Sequence, residues 1–307
     1  MSDVVPDILQ KPPGYLWSRF RRAPVAIVAA AVTALLMLAA LFAPLIAAQN
    51  PFDPAALDLA NALFPPSWVV GSDPRFVLGS DDQGRDILSA LLYGSRVSLL
   101  VGVAAVLFAA IIGVMAGLVA GYAGGWVDTL IMRLADVQLT IPAILIALMV
   151  DGLARATLPM EIHDSVAIYV LIFSIGIADW PQYARVVRAA TAVQKTLGYV
   201  SAARVMGVSA PVIVLRHILP NVLTSVMVLG TLGLALAVIS EATLSFLGVG
   251  MPPTAPSLGT LIRIGNNFLF SGEWWITLFP SLTLVVLALA VNMLGDWLRD
   301  ALNPKLN

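Results

Sequence analysis

VSLLVGVAAVLFAAIIGVMAGLVA, residues Val97–Ala120, runs without one charged side chain. A helix needs about 20 such residues to cross a bilayer core of about 30 Å. No water reaches the backbone there, so a crossing segment of this kind must close its own hydrogen bonds as a helix. The stretch also carries a small residue at every fourth position: Ala105, Ala109, Gly113, Gly117 and, just beyond it, Gly121. Such a stripe lets a second helix approach closely. It is a packing signal, not a catalytic one.

Five further apolar stretches read the same way, at about Val25–Ala48, Val127–Val150, Ser165–Val187, Val222–Phe246 and Ile276–Leu294. Val127–Val150, the third span in chain order, is the least clean, with Asp128, Arg133 and Asp136 in its first half. Arg133 and Asp136 lie three apart on one helix face and are expected to pair. Of 307 residues, 59% are hydrophobic and 11% charged, with a mean hydropathy of +0.92. Soluble domains carry about 25% charged residues. One water-soluble core cannot hide this much apolar surface, and disorder is excluded by the same excess. The expected fold class is an all-α polytopic membrane protein with six transmembrane helices. Val25–Ala48 far exceeds the roughly 7–15 apolar residues of a signal peptide, so it is read as an uncleaved span.

Lys and Arg set the orientation. The tail over residues 1–24 holds Lys11, Arg19, Arg21 and Arg22, with no acid after Asp7, and is placed in the cytosol. Residues 25–307 form the membrane domain, and six crossings return the C-terminus to the cytosol. Residues 188–220 are then a cytosolic loop, with Arg188, Lys195, Arg204 and Arg216 and no acid. Residues 49–96 form an extracytoplasmic cap, rich in Asp and broken by Pro51, Pro54, Pro65, Pro66 and Pro74. Within it, Asp86–Tyr93 (DILSALLY) reads as a short interfacial helix. A second outer segment, about Leu247–Trp275, ends in Trp274 and Trp275, which suit an aromatic belt.

The cytosolic loop is the most informative. Tyr199, Ala202, Ala203 and Met206 fall at helical spacing as one apolar stripe. Gly207 interrupts, and Pro211 opens a second short helix with Val212, Ile213 and Leu215. The residues alone leave two readings open: an amphipathic hairpin resting on the membrane, or a plug for a cytosolic partner. Charges inside a membrane are costly and often functional. Asp179 (in IADWPQYAR) and Glu241 (in ALAVISEATLSFLG) are the candidates, either lining a pore or serving structure.

The function classes excluded are several. The net charge of −1 argues against a nucleic-acid partner. There is no Cys, and His163 and His217 are far apart, so no metal cluster is expected. No G-x-S-x-G, H-E-x-x-H or G-x-x-x-x-G-K-[ST] occurs. GSDDQGRD (Gly79–Asp86) lacks a phosphate-binding lysine. Energy for uphill transport must come from another chain or an ion gradient. A secondary transporter driven by an ion gradient is the alternative, and would put Glu241 or Asp179 on the ion path.

YVSAARVMGVSAPVIVLRHILPN (Tyr199–Asn221) resembles the EAA loop of ABC importer permeases: E-A-A, three residues, G, nine residues, I-x-L-P. Ser201, Ala202, Ala203, Gly207, Leu219 and Pro220 take those places. Ser201 stands where the motif has Glu, and His217 where it has Ile. LGSDDQGRDILSALLYGSRVSLLVG (Leu78–Gly102), GYAGGWVDTLIMRLADV (Gly121–Val137), EATLSFLGVGMPPTAPSLG (Glu241–Gly259) and NMLGDWLRDALNPKL (Asn292–Leu306) are similar to the second permease of the dipeptide/oligopeptide/nickel importer branch.

That resemblance implies a type I importer transmembrane domain in a bacterial inner membrane. The implied partners are a second, homologous permease, two ATPase subunits and an extracytoplasmic solute-binding protein. ATP and Mg belong to the ATPases, and this chain binds no cofactor or metal and has no catalytic residue. The ATPase-coupling residues would be Tyr199, Ser201, Ala202, Ala203, Arg204, Gly207, Val208, Pro211 and Pro220, with Gly207 and Pro220 as hinges. The cargo would be di- or oligopeptides or related small solutes.

Overall fold

The computed structural model describes residues 15–302. Lys11 and Asp7, used above for orientation, lie outside the described residues, as does the end of the Asn292–Leu306 motif. Helix α1 (Tyr15–Phe20) leads into α2 (Pro24–Leu41), where Pro24 occupies a first-turn position that needs no N–H donor. α2 stops at Phe42 and a short α3 (Ala43–Ile46) follows. The first span is thus shorter than Val25–Ala48, because Pro44 cannot donate back into α2.

α4 (Ile87–Ala123) is 37 residues long, or about 55 Å. It takes in Asp86–Tyr93 as its cap and first turns, so that stretch is not a separate interfacial helix. Nothing in Gly94–Arg96 breaks the ladder, and Asp86 Oδ2 caps it by accepting from the Ser89 N–H at 2.8 Å. The chain leaves α4 through Gly124 and Gly125, at φ +70° and +59°, a conformation glycine adopts without steric cost.

α5 (Gly125–Leu139) and α6 (Ala143–Thr157) meet at a 90° bend. The third expected span is therefore a broken pair, not one helix. Pro142 explains it: the ring has no N–H and pushes Ile141 out of the helical region. The expected Arg133–Asp136 pair does not form either. Asp136 instead takes Arg185 at 2.6 Å, and Asp128 takes Arg188 at 2.5 Å, so α5 is tied to α7 (His163–Gln194). Pro181 lies inside α7 and leaves the Ile177 carbonyl without its helical donor. Gln138 of α5 donates its Nε2 to that carbonyl, and its Oε1 accepts from Trp180 Nε1 at 2.8 Å. One side chain answers the proline break and holds α5 in place.

α8 (Gly198–Val205) precedes α9 (Ala210–Val212), a π-helical turn over Ile213–Ile218 and α10 (Leu219–Phe246). Ala210–Phe246 runs on as one 37-residue rod, so the second short helix expected after Gly207 is the beginning of the fifth span. α11 (Leu258–Asn266) and α12 (Trp275–Leu302) complete the described chain.

The small-residue stripe of α4 lies against α7. A Cβ on Gly113 would sit 2.4 Å from Tyr183 Cβ, on Gly117 2.6 Å from the Ala184 carbonyl, and on Gly121 2.7 Å from the Arg188 carbonyl. Ala109 is fully buried in the same seam. α1 packs on the last turns of α12 through Phe20 and Trp297, ring centroids 5.0 Å apart. Both ends of the described chain thus lie at the end of the bundle that carries α8.

The opposite end is capped by residues 47–86. Arg85 and Asp81 form an ion pair at 2.7 Å with each side chain 1% exposed. Arg85 Nη1 also donates to the Pro253 carbonyl at 2.9 Å, joining the cap to the loop after α10. Trp275 Nε1 donates to the Ser80 carbonyl at 3.0 Å and the ring is 6% exposed. Trp275 is therefore a core residue of the cap, not part of an aromatic belt. Trp274, beside it, stays partly exposed.

Candidate functional site

The α8 turn is rigid by construction. Gly207 adopts φ +77°. The Gly207 N–H donates to the Arg204 carbonyl and the Val208 N–H to the Ala203 carbonyl, both at 3.0 Å. These two bonds form a Schellman closure, which needs a left-handed residue where Gly207 stands. Val200, Ala203, Ile213 and Ile218 are buried against Val187 and Val222, with Val208 packed on the cluster. Arg204 and Lys195 lie over the Tyr122 ring at 5.3 and 5.6 Å, and Lys195 Nζ donates to the Tyr122 carbonyl at 2.6 Å. Tyr199 Oη donates to Gln194 Oε1 at 2.7 Å, and burial pushes its phenol above the usual tyrosine range.

This geometry divides the expected stripe. Ala203 turns inward, while Tyr199, Ala202 and Met206 turn outward. The inward partner of Ala203 is Val200, three residues before it. Ser201, Ala202 and Arg204 are exposed, Val205 is 90% exposed and Met206 74%. Val205 was absent from the sequence-based stripe, and its helical offset from Ala202 is the signal that could have placed it there. Pro211 opens the rod that follows, and Pro220 lies within it. Pro220 offers no N–H to the Arg216 carbonyl, and the π-helical turn lies just before it.

Glu241 lies in a closed polar node. It is fully buried, accepts from Ser98 Oγ of α4 at 2.6 Å and from Ser245 Oγ at 2.7 Å. Ser98 Oγ also accepts from the Leu258 N–H at 3.2 Å, and Ser245 Oγ from the Met251 N–H at 3.1 Å. The carboxylate thereby joins α4, α10 and the start of α11. Asp179 is placed differently. It is half-buried, faces a cavity of about 110 Å³ with Ser240 and Thr243, and has no hydrogen-bond or ion-pair partner among the described residues. The two acids are not brought together. Neither His163 nor His217 joins a potential metal site, and no such group occurs among the described residues.

A larger cavity of about 290 Å³ lies at the capped end, between the α6–α7 connection, residues 248–253 and α11. Arg263 lines it, with its Nε buried and without a partner. The sequence signal was available: Arg263 is the one cation between Leu247 and Trp275.

Residues 113–307 match the model of the family described as binding-protein-dependent transport system inner membrane component. Residues 14–66 match the N-terminal TM domain of oligopeptide transport permease C. The dipeptide transport system permease protein DppC of Haemophilus influenzae is 37% identical over 312 residues, covering 100% of this chain and 99% of that protein. The di/tripeptide permease DppC of Pseudomonas aeruginosa is 37% identical, over 89% and 85%. The glutathione transport system permease protein GsiD of Escherichia coli O157:H7 is 39% identical, over 100% and 95%. Among solved structures, an inward-facing MetNI methionine ABC transporter aligns with a TM-score of 0.54 at 19% identity, covering 70% of this chain and 96% of that one. That likeness bears on the fold alone.

Proposed function

The chain belongs to the family of binding-protein-dependent transport system inner membrane components, and from that premise we propose how it works within an importer. It is a transport component, not an enzyme. Its cargo is a di- or oligopeptide or a related small solute, in keeping with relatives named for dipeptides and glutathione. It forms half of the pore with a homologous second permease. Two ATPase subunits, which hold the ATP and Mg, dock at the α8 end. A solute-binding protein delivers cargo at the capped end. The termini and α8 are then cytosolic and the cap extracytoplasmic.

The observation that carries this reading is the outer face of α8. Ala202, Val205 and Met206 are exposed on a turn whose other face is locked by Val200, Ala203 and Ile213. A rigid turn with an apolar outer face is suited to transmit a push from a partner. The ATPases would close on that face, and Gly207 and Pro220 would bound the segment that moves. Rigid-body motion of this kind needs contacts that differ between two states.

The test uses the assembled transporter in proteoliposomes. Met206→Asp is expected to uncouple ATP hydrolysis from uptake while the protein still inserts and assembles. Full coupling in that variant would defeat the docking assignment. Protein reconstituted without its ATPases is expected to show no uptake driven by an ion gradient.

A further inference from the structure

The two cavities lie along the same pair of helices, α6 and α7. The larger is lined by Asp151 of α6 and Val170 of α7, the smaller by Ala147 of α6 and Ile175 of α7. Four residues of α6 separate Ala147 from Asp151, one turn or about 6 Å. Between the cavities stand Leu171, Leu244 and Met251, all buried. The cavities therefore follow one another along α6 and α7, inward from the capped end, with these three side chains closing one from the other in this structure.

Each cavity carries one charge that the fold leaves unanswered. In the larger, Asp151 holds Arg155 at 2.6 Å, Asp164 meets Thr254 Oγ1 at 3.3 Å, and His163 Nε2 lies 2.9 Å from the Leu158 carbonyl. Arg263 has no hydrogen bond or ion pair among the described residues, and its Nε is buried. In the smaller, Asp179 is unpartnered, and the other polar residues lining the cavity are Ser240 and Thr243, the latter donating its hydroxyl to the Ile239 carbonyl at 2.8 Å. An ionisable group within a membrane protein is costly unless a partner or water meets it. Guanidinium suits carboxylate, through paired charge-assisted hydrogen bonds. A carboxylate with hydroxyls beside it suits an ammonium group.

We propose that the two cavities are successive stations on a track for a zwitterionic solute, with Arg263 receiving its carboxylate at the capped end and Asp179 its ammonium group at the deeper one. The proposal rests on the permease reading above and adds the chemistry by which this chain handles its cargo. The face that borders the smaller cavity is also open in this chain: Leu236, Ile239, Thr243 and Phe246 form an exposed stripe along α10.

The test is uptake by the complete transporter in proteoliposomes, with three probes: alanyl-alanine, its C-terminal amide, and N-acetyl-alanyl-alanine. Arg263→Gln is expected to lower the ratio of alanyl-alanine to amide uptake at least tenfold, and Arg263→Lys to keep most of it. Asp179→Asn is expected to lower the ratio of alanyl-alanine to N-acetyl uptake at least tenfold. Ratios within twofold of wild type would overturn the track and leave the permease reading standing. So would a wild-type assembly that hydrolyses ATP but takes up none of the probes. An assembly without ATP hydrolysis would remove both.

A second measurement does not depend on changing Arg263. The chain has no Cys, so Ala167→Cys, in the larger cavity, places a single thiol there. Its reaction with a sulfonated methanethiosulfonate is expected to slow at least fivefold with alanyl-alanine and not with the amide. Equal protection by both would overturn the carboxylate assignment.

Discussion

The two ends of the bundle treat their leftover groups in opposite ways. In the cap over residues 47–86 and at the Glu241 node beneath it, most buried charges and backbone groups are matched within the chain, with Asp82 Oδ1 and Arg85 Nη2 the exceptions. Arg85 meets Asp81 and the Pro253 carbonyl, Glu241 meets two serines, and Trp275 meets the Ser80 carbonyl. At the α8 end the backbone is closed just as firmly by Gly207, yet Val205 and Met206 are left without cover. Rigidity is common to both ends, and what differs is whether surface remains for another molecule. Substitutions at the cap should therefore act on stability, and those on the outer face of α8 on coupling.

The largest expected effect is at the cap. Arg85→Ala leaves Asp81 buried without its partner, and breaking a buried pair this way costs about 3–5 kcal/mol. Thermal unfolding in detergent should show a large drop in midpoint, and replacing Asp81 and Arg85 together by apolar residues should recover much of it. A drop no larger than that of an exposed substitution would remove the contrast between the two ends.

Next comes the helix seam that joins the ends. Gly113→Val places carbon where Tyr183 Cβ already lies. Overpacking of this kind costs about 1–3 kcal/mol. The expected readout is a lower unfolding midpoint together with faster hydrogen exchange in both α4 and α7.

At the α8 end the same tools should report a division within three residues. Gly207→Ala forces a side chain into the left-handed region at a cost of about 1–2 kcal/mol. Ala203→Asp buries a charge against Ile213 and should loosen the turn. Ala202→Asp, one residue away, is solvent-facing and should change stability by less than about 0.5 kcal/mol while lowering coupling. Equal destabilisation by the two aspartates would mean that α8 has no distinct outer face.

Much of this was legible in the chain. Val97–Ala120 announces its own span and seam, because apolar length and small-residue spacing are local properties. Gly207 likewise marks its turn, since no other residue type takes φ +77° readily. The break in the third span is masked in the sequence because hydropathy stays continuous across Pro142, where the chain bends by 90°. Partners across elements were hidden for a different reason. That Asp136 would choose Arg185 over Arg133, or that Gln138 would serve the carbonyl freed by Pro181, depends on how α5 lies against α7. The inward turn of Ala203 was within reach, but Val200 and Tyr199 compete for the same role at helical spacing, and only the packing of Ile213 decides.

The smallest effect concerns the one acid of the cap that is not matched. Asp82 follows Asp81 in sequence, and its Oδ1 is buried without a hydrogen-bond partner. Burial pushes its carboxyl above the usual carboxylate range, the charge of Asp81 adds to that, and Arg85 opposes it. A carboxyl whose folded value is raised favours the folded state fully below its unfolded value, and that contribution is lost as pH rises through the folded value. Wild type should therefore lose a little stability as pH climbs out of the carboxylate range towards neutrality, and Asp82→Asn should not. The two proteins should unfold alike at acidic pH, with the asparagine variant slightly the more stable at neutral pH. Parallel pH profiles would mean that Asp82 is better solvated than its buried oxygen implies, and that the cap matches its charges more completely than the contrast with α8 requires.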